Sequence, residues 1–297
     1  MTPVSHVNHI DRNGTTARAF IEARHGARAL PEFPGAVPAD LATGYATQEL
    51  AISLWPDDIA GWKIGKVPPQ FEERLGAPRI CGPIFRRKLL VAKERERGPL
   101  QFGVIEGGFA AVEAEFVVRL GRDAPAGKRE WALEEAEAMV ASMHIGMEPA
   151  GSPLKTINEL GPTVVVSDFG NNNGLILGPE IPDWRTKAWT DMPCETWIDG
   201  TRVGVGSAAS ITGGPIEALR YLFEHMATRN RVLRAGDLIS TGAATGIHDI
   251  LAGQTAVVRF GSYGEIPCVA VKALPLPPLE GWGAGDGEEL DDHRNYG

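Results

Sequence analysis

The chain has 297 residues, 43% hydrophobic and 23% charged, an ordinary composition for a folded protein and enough for two domains or one large strand-rich domain with an added segment. Its formal net charge of −9, with no run of Lys or Arg, argues against a nucleic-acid partner. Cys81, Cys194 and Cys268 are odd in number, far apart and form no CxxC pair, which argues against a disulfide framework and a thiolate zinc site and fits buried free thiols in a reducing cytoplasm.

The opening MTPVSHVNHIDRNG has no apolar core of signal-peptide length. No stretch approaches roughly 18 uninterrupted apolar residues, so a cytoplasmic protein with no membrane partner is expected. Residues 15–31 and 42–55 read as helices; in the second, Leu41, Tyr45, Leu50 and Leu54 fall near helical spacing and Pro56 stops it. GWKIGKV alternates Trp62 and Ile64 against Lys63 as a strand does, while VPPQFEERLG opens on prolines and ends on glycine, as a short helix does. From about residue 79 short β-rich runs dominate (FVVRL, TVVVSDF, GLILGP, TWIDGTRVGVG, DLISTG, QTAVVRF, IPCVAVKAL), divided by Gly, Pro, Asn and Asp. Two helices are predicted among them, WALEEAEAMVASMH at 131–144 and GPIEALRYLFEHMATR at 214–229, the latter with Ile216, Leu219, Leu222, Phe223 and Met226 in one apolar stripe. Met139 and Met143 read as core. The expected organisation is an N-terminal helical portion (1–70), a strand-dominated α+β body (71–280) and a tail (281–297). In that tail Asp286, Glu288, Glu289, Asp291 and Asp292 stand against Arg294 alone, too polar a segment to order itself.

AAVEAEFVVRL (110–120) poses the chemical question. On a strand, Val112, Ala114, Phe116 and Val118 share one face, and Glu113 and Glu115 point from the other, where like charges repel. Either that face is exposed to water, or a third carboxylate and a cation complete a site. Glu148, in IGMEPAGSP, is the third candidate, placed by the pattern at an apolar-flanked turn after the 131–144 helix. A hard cation such as Mg²⁺ or Mn²⁺ takes such oxygen ligands and can polarise a bound carbonyl. Lys63 is either a surface lysine lying on Trp62 or an enclosed ammonium that needs a carboxylate. LISTGAATG (238–246) runs a strand into a small-residue turn with Ser240, Thr241 and Thr245 hydroxyls, either an ordinary tight turn or an anion cradle. SDFGNNNGLILG (167–178) either brings Asn172 and Asn173 to a ligand or forms a hairpin. His248 follows the threonine turn and reads as a surface residue able to supply a proton.

The order of KIG (63–65), VEAEF (112–116), GMEPAGS (146–152), VVVSDFGNNNGLILG (164–178), GPIEALRYL (214–222) and RAGDLISTGAATG (234–246) resembles the 2-keto-4-pentenoate hydratases. That group includes 2-oxohept-3-ene-1,7-dioate hydratases and 4-oxalocrotonate decarboxylases and lies within the fumarylacetoacetate hydrolase superfamily. The resemblance spans roughly residues 15–275. It implies a mixed β-roll body and a Mg²⁺ or Mn²⁺ site made by Glu113, Glu115 and Glu148. It makes Lys63 the catalytic or substrate-orienting group and assigns Thr241 and Thr245 to the substrate, with Asn173 of the asparagine run the further substrate candidate. It further implies a small 2-oxo acid substrate, a homo-oligomer and, as an option, a complex with a pathway decarboxylase. The reaction expected is addition of water to a 2-hydroxy-2,4-dienoate, giving a 4-hydroxy-2-oxo acid. A decarboxylase, a diketo-acid C–C hydrolase and a non-catalytic partner subunit are the competing readings. Three departures bear on the pocket. Pro153 stands where hydratases commonly have Arg after Ser, Ile80 or Cys81 where they often carry Asp, and Asn172-Asn173-Gly174 where Ser-Ser-Gly is usual.

Overall fold

The computed structural model describes residues 7–92 and 98–277; the acidic tail read in the sequence lies outside them. Helices α1 (Val7–His25) and α2 (Leu41–Leu54) pack together ahead of strand β1 (Ile59–Lys66). α1 stops at His25 rather than continuing to 31, because Gly26 caps the Glu22 carbonyl and Ala27 turns to φ 48. α2 begins where the Asp40 carboxylate accepts the Thr43 N–H at 2.8 Å and ends one residue ahead of Trp55-Pro56, as its sequence predicts. Helix α3 (Pro69–Leu75) carries proline in its first turn and ends on Gly76 at φ 64. Strands β2 (Arg79–Phe85), β3 (Leu89–Val91), β4 (Leu100–Val104) and β5 (Phe109–Leu120) follow. Then come α4 (Leu133–Glu137), β6 (Val140–Ser152), α5 (Pro162–Ser167), β7 (Leu175–Glu180), β8 (Pro193–Ile198) and β9 (Thr201–Ser207). α6 (Gly214–Thr228), β10 (Leu238–Ala243), β11 (His248–Asp249), β12 (Thr255–Arg259) and β13 (Glu265–Lys272) complete the described chain.

Among the described residues the strands form two sheets. The larger runs β2-β1-β10-β5-β6-β7-β3, with β11 also on β5; the smaller runs β4-β13-β12-β8-β9. β1, although inside the N-terminal stretch, is an inner strand of the larger sheet, antiparallel to β2 and parallel to β10. Val112, Ala114, Phe116 and Val118 of β5 turn into the main core, where Phe116 meets Phe260 edge-on at 5.3 Å. Met139, Met143, Leu222, Phe223 and Met226 lie in the same core, and the predicted α6 stripe is buried as read. The three cysteines are free and buried. No helix among the described residues is long and apolar enough to cross a membrane.

Three local expectations are corrected. WALEEAEAMVASMH is not one helix: α4 ends at Glu137, and Val140 starts a strand paired with β5 from Leu120↔Val140 to Phe109↔Ser152. The Ala/Glu/Met composition favours helix, but this long ladder and the burial it brings outweigh local propensity. TVVVSDF is not a strand: Gly161 at φ 98 and Pro162 start the buried turns of α5, whose first amides return to the Gly161 carbonyl. Glu148 consequently sits within β6, not at a turn.

Candidate metal centre and adjoining pocket

The β5–β6 register sets Glu113 directly opposite Glu148, and Glu115 opposite Gly146. Side chains two apart on a strand share a face, so all three carboxylates converge, each offering an oxygen within 4.8 Å of the others. They are 3%, 0% and 0% exposed, which rules out the exposed-face reading. Glu115 accepts the Gly242 N–H at 2.6 Å, and Glu148 accepts the Asn172 amide at 3.0 Å. Glu113 Oε1, Glu115 Oε1 and Glu148 Oε2 are buried without a partner among the described residues. Burial pushes the Glu113 carboxyl up to about 8, Lys63 opposing and Glu148 adding to the rise. Glu115 is driven well above the carboxylate range by burial and by its two acidic neighbours. Burial also raises Glu148, against the pull of Lys63 and Asn172.

Lys63 is the enclosed ammonium. It is 4% exposed, 3.5 Å from Glu148 Oε1, and donates to Asn171 Oδ1 at 3.0 Å. Burial disfavours its charge, but the three carboxylates more than reverse this and raise its pKa. One ammonium against three carboxylates leaves excess negative charge in a dry site, together with unpartnered oxygens. That is costly unless a cation joins them. All the donors are hard carboxylate oxygens, so the set fits a divalent cation of the Mg²⁺ or Mn²⁺ kind.

The neighbouring strands complete the site. β10 lies parallel to β1 with Lys63 beside Ser240, and antiparallel to β5 with Ser240 beside Val117. Ser240 therefore faces the carboxylates, and its Oγ is buried without a partner. Asn171 owes its position to three consecutive left-handed residues, Phe169 (φ 55), Gly170 (φ 65) and Asn171 (φ 55). That turn rides against Gly82, where a Cβ would collide with the Phe169 carbonyl. A cavity of about 500 Å³ opens from Lys63 and Glu113 and is lined further by Asn171, Thr241, Ile80 and Arg79.

The substrate residues expected from the sequence divide. Thr241 lines the cavity, its hydroxyl donating to the Phe116 carbonyl at 2.7 Å. Thr245 does not: its hydroxyl pairs with Thr196 at 2.7 Å, tying the β10–β11 turn to β8. Asn173 also turns away, giving its amide to the Gly103 carbonyl at 2.7 Å. The Asn run instead contributes Asn171 to Lys63 and Asn172 to Glu148. His248 Nε2 lies 3.0 Å from the Thr245 carbonyl. At the departures, Ile80 lines the cavity while Cys81 is buried behind it against Tyr45. The Ser152 hydroxyl, next to Pro153, donates to Asp168 at 2.6 Å, and Arg24 of α1 grips that same carboxylate at 2.6 and 2.9 Å. A guanidinium thus reaches this corner from another element.

The family model described as fumarylacetoacetate (FAA) hydrolase C-terminal matches residues 104–272, which include β5, β6 and all three glutamates. The chain belongs to the fumarylacetoacetate hydrolase family. It is an enzyme of that family, with the strand-rich α+β fold expected of it. A 2-keto-4-pentenoate hydratase of Burkholderia vietnamiensis (strain G4) is 26% identical over 251 residues, covering 82% of this chain and 92% of its own. The TodF product hydratase of Pseudomonas putida F1 is 25% identical over 247 residues, covering 79% and 85%. Among solved structures, 4-oxalocrotonate decarboxylase from Pseudomonas putida G7, complexed with magnesium and adipate, superposes with a TM-score of 0.72 at 17% identity over 88% of this chain and 98% of its own. A fumarylpyruvate hydrolase from Pseudomonas aeruginosa, in complex with Mn²⁺ and pyruvate, gives 0.53 at 16% identity over 71% and 89%. These structural likenesses establish a shared fold.

Proposed function

We propose that this fumarylacetoacetate hydrolase family member is a metal-dependent hydratase that converts a 2-hydroxy-2,4-dienoate, through its 2-oxo-alkenoate tautomer, into a 4-hydroxy-2-oxo acid. The observation that carries the reading is the set of three buried carboxylates, each with an oxygen unpartnered among the described residues, of which Glu113 opens onto a cavity that also presents Lys63. The hydratase names of relatives matched over most of their length support the reaction type. Glu113, Glu115 and Glu148 would hold Mg²⁺ or Mn²⁺. When bound, the ion supplies Lewis acidity toward a substrate carboxylate and 2-oxygen.

The protein's own groups do the rest. Lys63, fixed by Asn171 and Glu148, stays protonated, so it can orient the acid end of the substrate and deliver a proton to the conjugated chain. Addition then places hydroxyl on C4 and hydrogen on C3. Asn171 also donates to Asn158 at 3.1 Å, which holds it with its oxygen toward Lys63. Ile80 makes the wall beside Lys63 apolar and limits stray water there.

The test mixes purified protein with 2-hydroxypenta-2,4-dienoate and longer homologues. Loss of the dienol's ultraviolet absorption that requires Mg²⁺ or Mn²⁺ and stops on chelation supports the reading; unchanged absorption with every homologue defeats it. Product mass separates hydration, which gains water, from decarboxylation, which loses CO₂. Glu113→Gln should lose both metal and turnover, whereas a non-catalytic scaffold subunit would keep its partner binding.

A further inference from the structure

The far end of the cavity carries a guanidinium that no salt bridge neutralises among the described residues. Arg79, first residue of β2, pairs in register with Lys66 of β1, while Lys63 pairs with Gly82. Three residues of strand separate the two levels, roughly 10 Å along the strand; this odd step turns the two side chains to opposite faces of the sheet, yet both line the cavity. Arg79 lines the cavity and is 7% exposed, yet it makes no ion pair among the described residues. Its Nη2 donates to the Thr212 carbonyl, the one hydrogen bond of the guanidinium among the described residues, and the guanidinium lies 5.9 Å from the Tyr221 ring centre. Glu217, the acidic group acting most on it, is committed to Arg220 through two 2.7 Å hydrogen bonds. Burial therefore disfavours the Arg79 charge, offset by Glu217 only from beyond ion-pair distance. Exposed Lys66 adds positive charge at this level, and Glu72 on the rim balances one of the two. A sheltered guanidinium with free donors facing a cavity is the group best matched to a carboxylate, which it can hold through two parallel hydrogen bonds.

We infer that Arg79 clamps the far end of the substrate and selects 2-oxo acids that carry a second, terminal carboxylate. This rests on the metal-centred 2-oxo acid reading, which places the first carboxylate at the Lys63 end; the spacing to Arg79 then asks for a short carbon chain between two acids. A monoacid would reach the same depth but leave the guanidinium unpaired, which is where discrimination arises.

Calorimetry on the Mn²⁺-loaded protein tests this with two saturated acids of equal chain length that cannot add water, 2-oxoheptanoate and 2-oxoheptanedioate. The diacid should bind at least about tenfold more tightly, the worth of one charge-assisted pair. Arg79→Met should erase that preference and leave monoacid affinity unchanged; Arg79→Lys should keep part of it. Equal affinities in the unmodified protein, or equal weakening of both acids in a variant with an intact melting profile, overturns the assignment. If Arg79→Met does not fold, the unmodified protein and Arg79→Lys still decide. Failure of both acids to bind removes the 2-oxo acid reading and this one with it, an outcome distinct from binding without preference.

Discussion

Lys63 and the three glutamates have to be understood by charge together. The ammonium offsets part of the carboxylates' repulsion and occupies the position next to Glu148. Removing it should affect catalysis and metal binding in opposite directions. Lys63→Met is expected to lower turnover by about 10²–10⁴-fold, the usual worth of a proton-transferring group. Mn²⁺ affinity should stay or rise, because a competing cation has gone. Kinetics and calorimetry on one preparation check this, and loss of metal along with turnover would make Lys63 structural. His225 offers a pH test away from the site. Its ring lies 4.8 Å from Tyr45 and 5.7 Å from Tyr221, with Nε2 unpartnered. Burial, with Arg229 adding and Glu49 opposing, lowers its pKa from 6.5 to about 4. The unfolded chain then binds the proton first as pH falls, so stability is lost between those two values, by on the order of 3 kcal/mol. His225→Gln should flatten the dependence of melting temperature on pH across that window. A parallel decline in both proteins would assign the acid sensitivity to other groups.

The strands decide whether these residues meet, and here the sequence was legible in part. The alternation around Glu113 and Glu115, the Trp62-Lys63-Ile64 pattern and the α6 stripe each declare their face locally; burial confirms the stripe, and contacts confirm the strands, with the apolar residues in the core and Lys63 beside the glutamates. Glu148 was found as a residue but misplaced in structure, because the helix-favouring run before it takes its conformation from β5, a partner distant along the chain. Asn171 escaped for a related reason. In a run of three asparagines, backbone dihedrals at positive φ decide which side chain meets Lys63, and side-chain chemistry alone does not. Arg79 and Ser240 reach the site only through strand register. Gly61 tests the same scale: a Cβ there would run into the Leu238 backbone and push β1 off β10, carrying Lys63 with it. Gly61→Ala is expected to destabilise by about 1–3 kcal/mol, as overpacking does, and to reduce turnover sharply. Gly76→Ala, at φ 64 with nothing within 4 Å, is the control. It should lose about 1–2 kcal/mol of stability to backbone strain, with turnover preserved. Denaturant melts and rate assays on both variants separate the effects, and equal turnover in the two would dissociate β1–β10 spacing from Lys63 placement.

Across the whole molecule, the centre joins β5 and β6 through the glutamates, β1 through Lys63 and β10 through Gly242, so an ion bound there couples the middle of the larger sheet. Folding stability should then depend on metal and pH together. In the metal-free protein Glu113 titrates near 8 instead of near the usual 4.5. A carboxyl whose pKa is raised by folding contributes stability below its unfolded value, and that contribution is lost as pH rises through the folded one. A bound cation requires the ionised carboxylates and removes the penalty for forming them. The gap in melting temperature between Mg²⁺-loaded and chelator-treated protein should therefore widen from about pH 4.5 to about pH 8 as Glu113 ionises, and the raised Glu115 carries the rise further. At 100 times the dissociation constant the ion adds about 2.7 kcal/mol. Comparing loaded with chelated protein at each pH cancels the self-repulsion of a chain with formal charge −9, which is present in both. Glu113→Gln should close the gap at every pH and remove the metal-free decline that Glu113 contributes. A gap present in the unmodified protein but constant with pH would show that the ion binds elsewhere, and no gap at all would remove the metal centre from the account.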